Sequence, residues 1–230
     1  MKYEYIFDRE SCWFKQNCEN YKNAEICSQF CKRYKYLHYH ANHSLMTNKQ
    51  LYPEKLSIPE IDEQAYERLS NIRKDIFNYV QSGNNLLLKS SKCGNGKTTW
   101  TTKLAMTYMS KLRTNDYPRV LFINVARLCV WIKQMFAGYV HKDLHYFLDN
   151  VETADLVIWD DVAVVELTNS DYISLYTYID YRILAGKSNF YTINAKEKDL
   201  MNILGERLYS RIVLDSEVLE FKSEDCRCKG

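Results

Sequence analysis

The feature that most constrains this chain is Gly96-Lys97-Thr98, which stands between an apolar run, Leu86-Leu87-Leu88, and a stretch with Trp100, Leu104, Tyr108 and Leu112 on one helical face. The order is therefore strand, glycine-bearing loop, helix. A polyphosphate needs backbone N–H groups aimed at it, a helix N-terminus behind them, a lysine reaching its terminal groups and a hydroxyl on Mg²⁺. Gly94, Gly96, Lys97 and Thr98 supply those parts, with Asn95 and Thr99 in the same segment. The full pattern G-x-x-x-x-G-K-[ST] asks for glycine where this chain has Ser91, and the readable strand and helix restore what that departure weakens. The expected ligands are ATP or ADP with Mg²⁺.

The rest of the chain reads as alternating strands and helices. Ile61, Ala65, Leu69, Ile72, Ile76 and Val80 recur at steps of three and four and predict one amphipathic helix, stopped by Gly83. Val120 to Val125 predicts a strand, and Leu128, Trp131, Ile132, Met135 and Phe136 a helix after it. Residues 155–161 form an apolar run ending in two acids, as in a strand buried on both faces. Tyr172, Leu175, Tyr176, Ile179 and Ile183 predict a helix, Phe190 to Asn194 a strand, Leu200 to Ile212 a helix, and Glu217 to Phe221 a last strand. This alternation predicts an α/β fold, a parallel sheet between helices.

Residues 1–43 differ from everything downstream: Cys12, Cys18, Cys27 and Cys31 crowd there, followed by a basic, aromatic stretch and His38, His40 and His43. Residues 44–60, with Pro53 and Pro59, read as a linker, and 61–230 as the main domain. In 230 residues, 46% are hydrophobic, and 31 Lys and Arg stand against 29 Asp and Glu, which excludes a disordered tail protein and a polybasic nucleic-acid coat. No apolar run suits a membrane helix and the start is unlike a secretory leader, so a cytoplasmic protein with no membrane partner is expected.

About sixty residues beyond the loop, Trp159-Asp160-Asp161 closes an apolar strand. An acid at such a strand end is placed to hold Mg²⁺, and its neighbour to orient the attacking water. Asp160 is assigned to the metal and Asp161 to the water, against the alternative of two acids that merely end a strand. Many ATPases carry glutamate at the second place, so the shorter Asp161 predicts slow hydrolysis. Asn194, ending the neighbouring strand, is placed to sense the γ-phosphate. Arg207 and Arg211, four apart, predict either an arginine that reaches a neighbouring subunit's nucleotide or a solvated face with an internal ion pair.

With those motifs in place the chain resembles a family. Asn84-Asn85-Leu86-Leu87-Leu88, Gly94-Asn95-Gly96-Lys97-Thr98, Phe122-Ile123-Asn124-Val125, Trp159-Asp160-Asp161, Thr192-Ile193-Asn194, the G-E-R-x-x-S-R box of residues 205–211 and Phe221 to Arg227 are similar to the DnaC-type and DnaI-type helicase loaders, AAA+ ATPases related to the IstB transposition helpers. The resemblance covers roughly residues 50–228. It implies an AAA+ domain without a C-terminal lid, with Asn194 as sensor 1 and Arg211 as an arginine finger acting between subunits. It implies ATPase activity that depends on self-association, a replicative helicase hexamer as partner, and single-stranded DNA as the track. The short cysteine-bearing head looks most like loaders of phages or mobile elements of Gram-positive bacteria.

The head fits that reading if Cys12, Cys18, Cys27 and Cys31 close a Cys₄ zinc site, with a histidine as a substitute for one thiolate; unligated reduced thiols are the alternative. DnaI-type loaders are similar in having a zinc-binding head that contacts the helicase. Lys133, Tyr139, His141, Lys142 and Tyr172 are candidates for DNA contact. Two rival readings are an IstB-like helper of a transposase and a zinc-dependent DNA-binding regulator with a structural nucleotide site.

Overall fold

A computed structural model describes residues 9–10, 12, 18–23, 25–28, 31, 60–112, 120–163 and 167–225. Two helices, α1 (Glu63–Lys74) and α2 (Ile76–Gln81), lead into β1 (Leu86–Ser90). Then come α3 (Lys97–Lys111), β2 (Val120–Asn124), α4 (Val125–Phe136), α5 (Lys142–Asn150), β3 (Leu156–Asp160) and α6 (Asn169–Leu184). The chain continues through β4 (Ser188–Asn194), α7 (Glu197–Tyr209), a π turn (Ser210–Leu214) and β5 (Glu217–Glu220). The strands lie in the order β2-β3-β4-β1-β5, and every pairing is parallel.

Successive side chains of a strand face opposite ways, and here both faces are apolar. Leu86, Leu88, Val120, Phe122, Leu156, Ile158 and Phe190 pack under α1, α2 and α3. Leu87, Leu121, Ile123, Val157, Trp159, Tyr191 and Ile193 pack against α4, α5, α6 and α7. The result is the predicted three-layer α/β architecture. The pairing aligns the carboxyl ends of the strands: Asn124 stands beside Asp160, and Ser90 beside Asn194. Ligands of open parallel sheets bind at that edge.

The structure differs from the sequence reading in four places. The single helix expected from Ile61 to Val80 is two, because Asp75 leaves helical geometry (φ −111°, ψ 28°) and its carboxylate accepts from Asn78 Nδ2 at 2.7 Å. Ile61, taken as its first apolar position, is 63% exposed. Helix α5 was not anticipated; it buries only Leu144 and Phe147, too few positions to show a period. The helix expected at Leu200 to Ile212 is interrupted at Gly205 (φ 69°, ψ 160°), where a Cβ would lie 3.2 Å from the Tyr172 ring. Glycine there admits both the left-handed backbone and the close aromatic.

Candidate functional site

The loop between β1 and α3 is built around two glycines with positive φ, Gly94 at 73° and Gly96 at 92°. Gly96 caps α3, and its carbonyl accepts the first helical bond from Trp100 N at 2.9 Å. Ser90 and Asn95 brace the loop from inside: Ser90 Oγ accepts from Lys92 N at 3.1 Å and from Asn95 Nδ2 at 2.6 Å. The side chain of Asn95, expected among the nucleotide contacts, therefore serves to hold the loop's shape. Lys97 is buried and, among the described residues, donates to neutral acceptors of the loop, Lys92 O at 3.0 Å and Asn95 Oδ1 at 2.8 Å. Burial lowers its pKa to about 8 against the opposing pull of Cys93 and the nearby acids. An ammonium set among neutral loop acceptors suits an incoming polyphosphate. Thr99 follows in the first turn of α3, half-buried.

Asp160 joins the loop to the sheet. Its Oδ1 accepts from Thr98 Oγ1 at 2.8 Å and from Thr192 Oγ1 at 2.7 Å, so the expected pair of Mg²⁺ ligands, Thr98 and Asp160, is already in contact. Those two residues would hold the ion, which when bound would supply positive charge to offset that of the phosphates. Burial first, and then the charge of Asp161, raises the pKa of Asp160 from 3.8 to about 6, despite both hydroxyls. A raised carboxylate pKa means that the folded chain holds the proton more tightly than the unfolded one. Its contribution to stability is therefore present below pH ~4 and lost as pH rises through about 6. At neutral pH the ionised group costs stability, so Asp160→Asn should raise the melting temperature of the nucleotide-free protein, by up to ~2 kcal/mol in stability, while removing Mg²⁺-dependent nucleotide binding. Thermal unfolding with and without Mg²⁺-ATP checks both halves.

Asp161 has the unusual φ of 57° for a non-glycine residue. Its N–H donates to Thr192 Oγ1 at 2.9 Å, and its two carboxylate oxygens accept from different amides: Oδ1 from Asn194 Nδ2 at 2.8 Å, Oδ2 from Asn124 Nδ2 at 3.2 Å. Burial raises its pKa. Asn194 thus stands beside the acid assigned to the water, as its strand-end position predicted, and its Oδ1 is buried without a hydrogen-bond partner. Asn124 was missed as a site residue. It closes β2 and also caps α4 by accepting from Arg127 N at 3.2 Å, so its sequence signal is that of a helix cap. Only the parallel register with β3 brings it to Asp161.

Arg211 is not at this edge. It lies in the π turn, where Nε donates to Asp180 Oδ1 at 2.7 Å and Nη1 to Asp215 Oδ2 at 3.2 Å. Arg207 is exposed, its guanidinium 5.9 Å from the centre of the Tyr176 ring. Tyr176 and Asp180 are one turn apart on α6, so both arginines run along that helix. Two of the DNA-contact candidates are otherwise engaged: Lys133 pairs with Asp171 at 2.9 Å, and Tyr172 stacks on Tyr176 and covers Gly205. Tyr139 is exposed between α4 and α5, where His141 stacks on Trp131 at 5.1 Å.

Cys12, Cys18, Cys27 and Cys31 are half-buried and none is in a disulfide; Cys18 directly precedes the short 3₁₀ turn Glu19–Lys22. Among the described residues, no three of His, Cys, Asp and Glu gather into a metal-holding group, so the zinc site expected on these cysteines lacks support in the geometry. His38, His40, His43, Cys226 and Cys228, like the linker up to residue 59, lie outside the described residues. No described helix is long and apolar enough to cross a membrane.

No protein-family model matches this chain, and no curated protein does. Solved structures share its fold. The structure of the DnaC helicase loader matches with a TM-score of 0.61 at 20% identity, covering 76% of this chain and all of the other. That of DnaI matches with a TM-score of 0.61 at 16% identity, covering 76% of this chain and 94% of the other. AMPPCP-bound DnaA from Aquifex aeolicus matches with a TM-score of 0.55 at 16% identity, over 75% of this chain and 51% of that one. The fold is that of an AAA+ P-loop domain.

Proposed function

We propose that this chain is an ATP-controlled loader of a replicative helicase, and that it turns ATP over slowly and only when assembled. The observation that carries the proposal is the constellation at the carboxyl edge of the sheet: the loop lysine, the Thr98–Asp160 pair and the Asp161–Asn194 contact, on a fold shared with the DnaC and DnaI structures. In this reading Gly94, Gly96 and Lys97 hold the phosphates, and Thr98 and Asp160 hold Mg²⁺. Asp161 orients the water once one of its two amide partners yields an oxygen. Asn194 reads the γ-phosphate.

Arg211 acts on a neighbouring subunit. Arg211 pairs with Asp215, whose carbonyl accepts from Asn85 Nδ2 just before β1, and the five residues of that strand separate this end of the sheet from Ser90 at the nucleotide edge, about 16 Å at 3.3 Å per residue. A guanidinium that far along cannot serve its own site. It must first leave Asp180 and Asp215, which makes turnover conditional on assembly. The cysteine-rich head, residues 1–43, grips the helicase hexamer, residues 44–60 tether it, and the ATPase domain of residues 61–230 associates with its copies around single-stranded DNA. Of the candidates for DNA contact, Tyr139 and Lys142 are exposed at the α4–α5 connection and would meet the strand.

The test is complex formation. The chain is mixed with a replicative helicase hexamer, and mass is read by light scattering after size exclusion. A discrete species heavier than the hexamer, with a yield that differs between ATP and ADP, is the expected result. Absence of any complex under either nucleotide removes the helicase from the reading and leaves the nucleotide site standing.

A further inference from the structure

Beyond β5 the chain runs on as a strap against the phosphate loop. Phe221 N donates to Lys89 O at 2.9 Å, extending the pairing with β1, and its ring packs on Tyr66 at 5.5 Å in the core under α1. The buried carboxylate of Asp62 then accepts from the backbone of the next two residues, Lys222 N at 2.7 Å and Ser223 N at 3.2 Å. Glu224 pairs with Lys92 of the loop. Asp225 ends the described strap with its carboxylate against Gly94, in the space that a Cβ there would fill.

We infer that Asp225 is an autoinhibitory residue of the nucleotide site: the strap presses its negative charge onto the loop that receives phosphates, and nucleotide entry drives it off. The inference rests on the reading of this loop as a nucleotide site. Two observations make the charge matter. The strap is fastened through the three residues just before the contact, Lys222 and Ser223 to Asp62 and Glu224 to Lys92, and these bonds bring the carboxylate to the loop. And Gly94, whose positive φ calls for glycine, supplies no side chain to keep it away. A fixed carboxylate several ångströms from a polyphosphate repels it, more strongly the higher the ligand's charge, and salt screens that repulsion.

The experiment compares wild type with Asp225→Asn, which keeps the shape and removes the charge, by calorimetric titration with ATP and with ADP at two salt concentrations. Asp225→Asn should bind ATP about 3- to 10-fold more tightly than wild type and gain less for ADP, with the gain shrinking at high salt. Hydrogen exchange at the Lys222 and Ser223 amides should rise when wild type takes up ATP. Equal or weaker ATP binding by the variant overturns the inference, as does a gain that salt leaves untouched, since a merely structural strap would behave so. Lys97→Ala run alongside separates the two readings: it must lose nucleotide whatever Asp225 does, and if it does not, the site assignment itself is wrong.

Discussion

Lys97→Ala should lose ATP and ADP binding by a factor of at least ~100 while keeping its far-ultraviolet circular dichroism. The ammonium is buried among neutral loop acceptors, and burial lowers its pKa to about 8 against the opposing pull of Cys93 and the nearby acids. Such a cation contributes little to the empty fold and gains its compensation when phosphate arrives. Charge-assisted hydrogen bonds to phosphate are worth roughly 1.5–3 kcal/mol each, and a buried charge left without its partner costs more. Removing the side chain strips this from the bound state alone. The folded variant should therefore be no less stable than wild type without nucleotide, and it should fail to gain the thermal shift that wild type shows with Mg²⁺-ATP. Unchanged ATP affinity in this variant would sink the site assignment.

The second large effect is on turnover. Arg211→Ala should reduce ATP hydrolysis at high protein concentration by at least ~100-fold, in keeping with what a transition-state arginine supplies, and should leave ATP affinity as it is. The pairs that Arg211 makes with Asp180 and Asp215 are part-exposed, so their loss should cost less than ~1 kcal/mol of stability. The signature is a split: binding retained, chemistry lost, and wild-type turnover rising with concentration where the variant's does not. Wild-type rates from Arg211→Ala under assembling conditions would leave the arginine as an ordinary ion-pair partner of α6.

What could be read in the sequence follows from how local each signal is. The loop, the Asp160 strand end and Asn194 were legible because a strand, a turn and a helix carry their own periodicity and capping chemistry. The strands read as continuous apolar runs because both faces are buried, with Leu87 and Leu88 in different layers. Asn124 was not legible as a site residue, because its meeting with Asp161 depends on the register of β2 against β3 and its own neighbourhood asks only for a helix cap. The ion pair of Arg211 with Asp180 spans 31 residues, and spacing alone left it open between finger and salt bridge. Gly205 stood in a helical pattern whose interruption is dictated by an aromatic on another helix, Tyr172. The thiol spacing in the head suggested zinc, and spacing does not determine whether four cysteines converge.

The most direct test of the account is delivery itself. A replicative helicase is offered circular single-stranded DNA covered by its binding protein, with and without this chain, and strand unwinding of an annealed oligonucleotide is followed in the presence of ATP. Unwinding that requires the chain, and that Lys97→Ala and Arg211→Ala fail to support, is the predicted result. Unwinding that proceeds equally without the chain, or as well with Lys97→Ala as with wild type, would contradict an ATP-controlled loader.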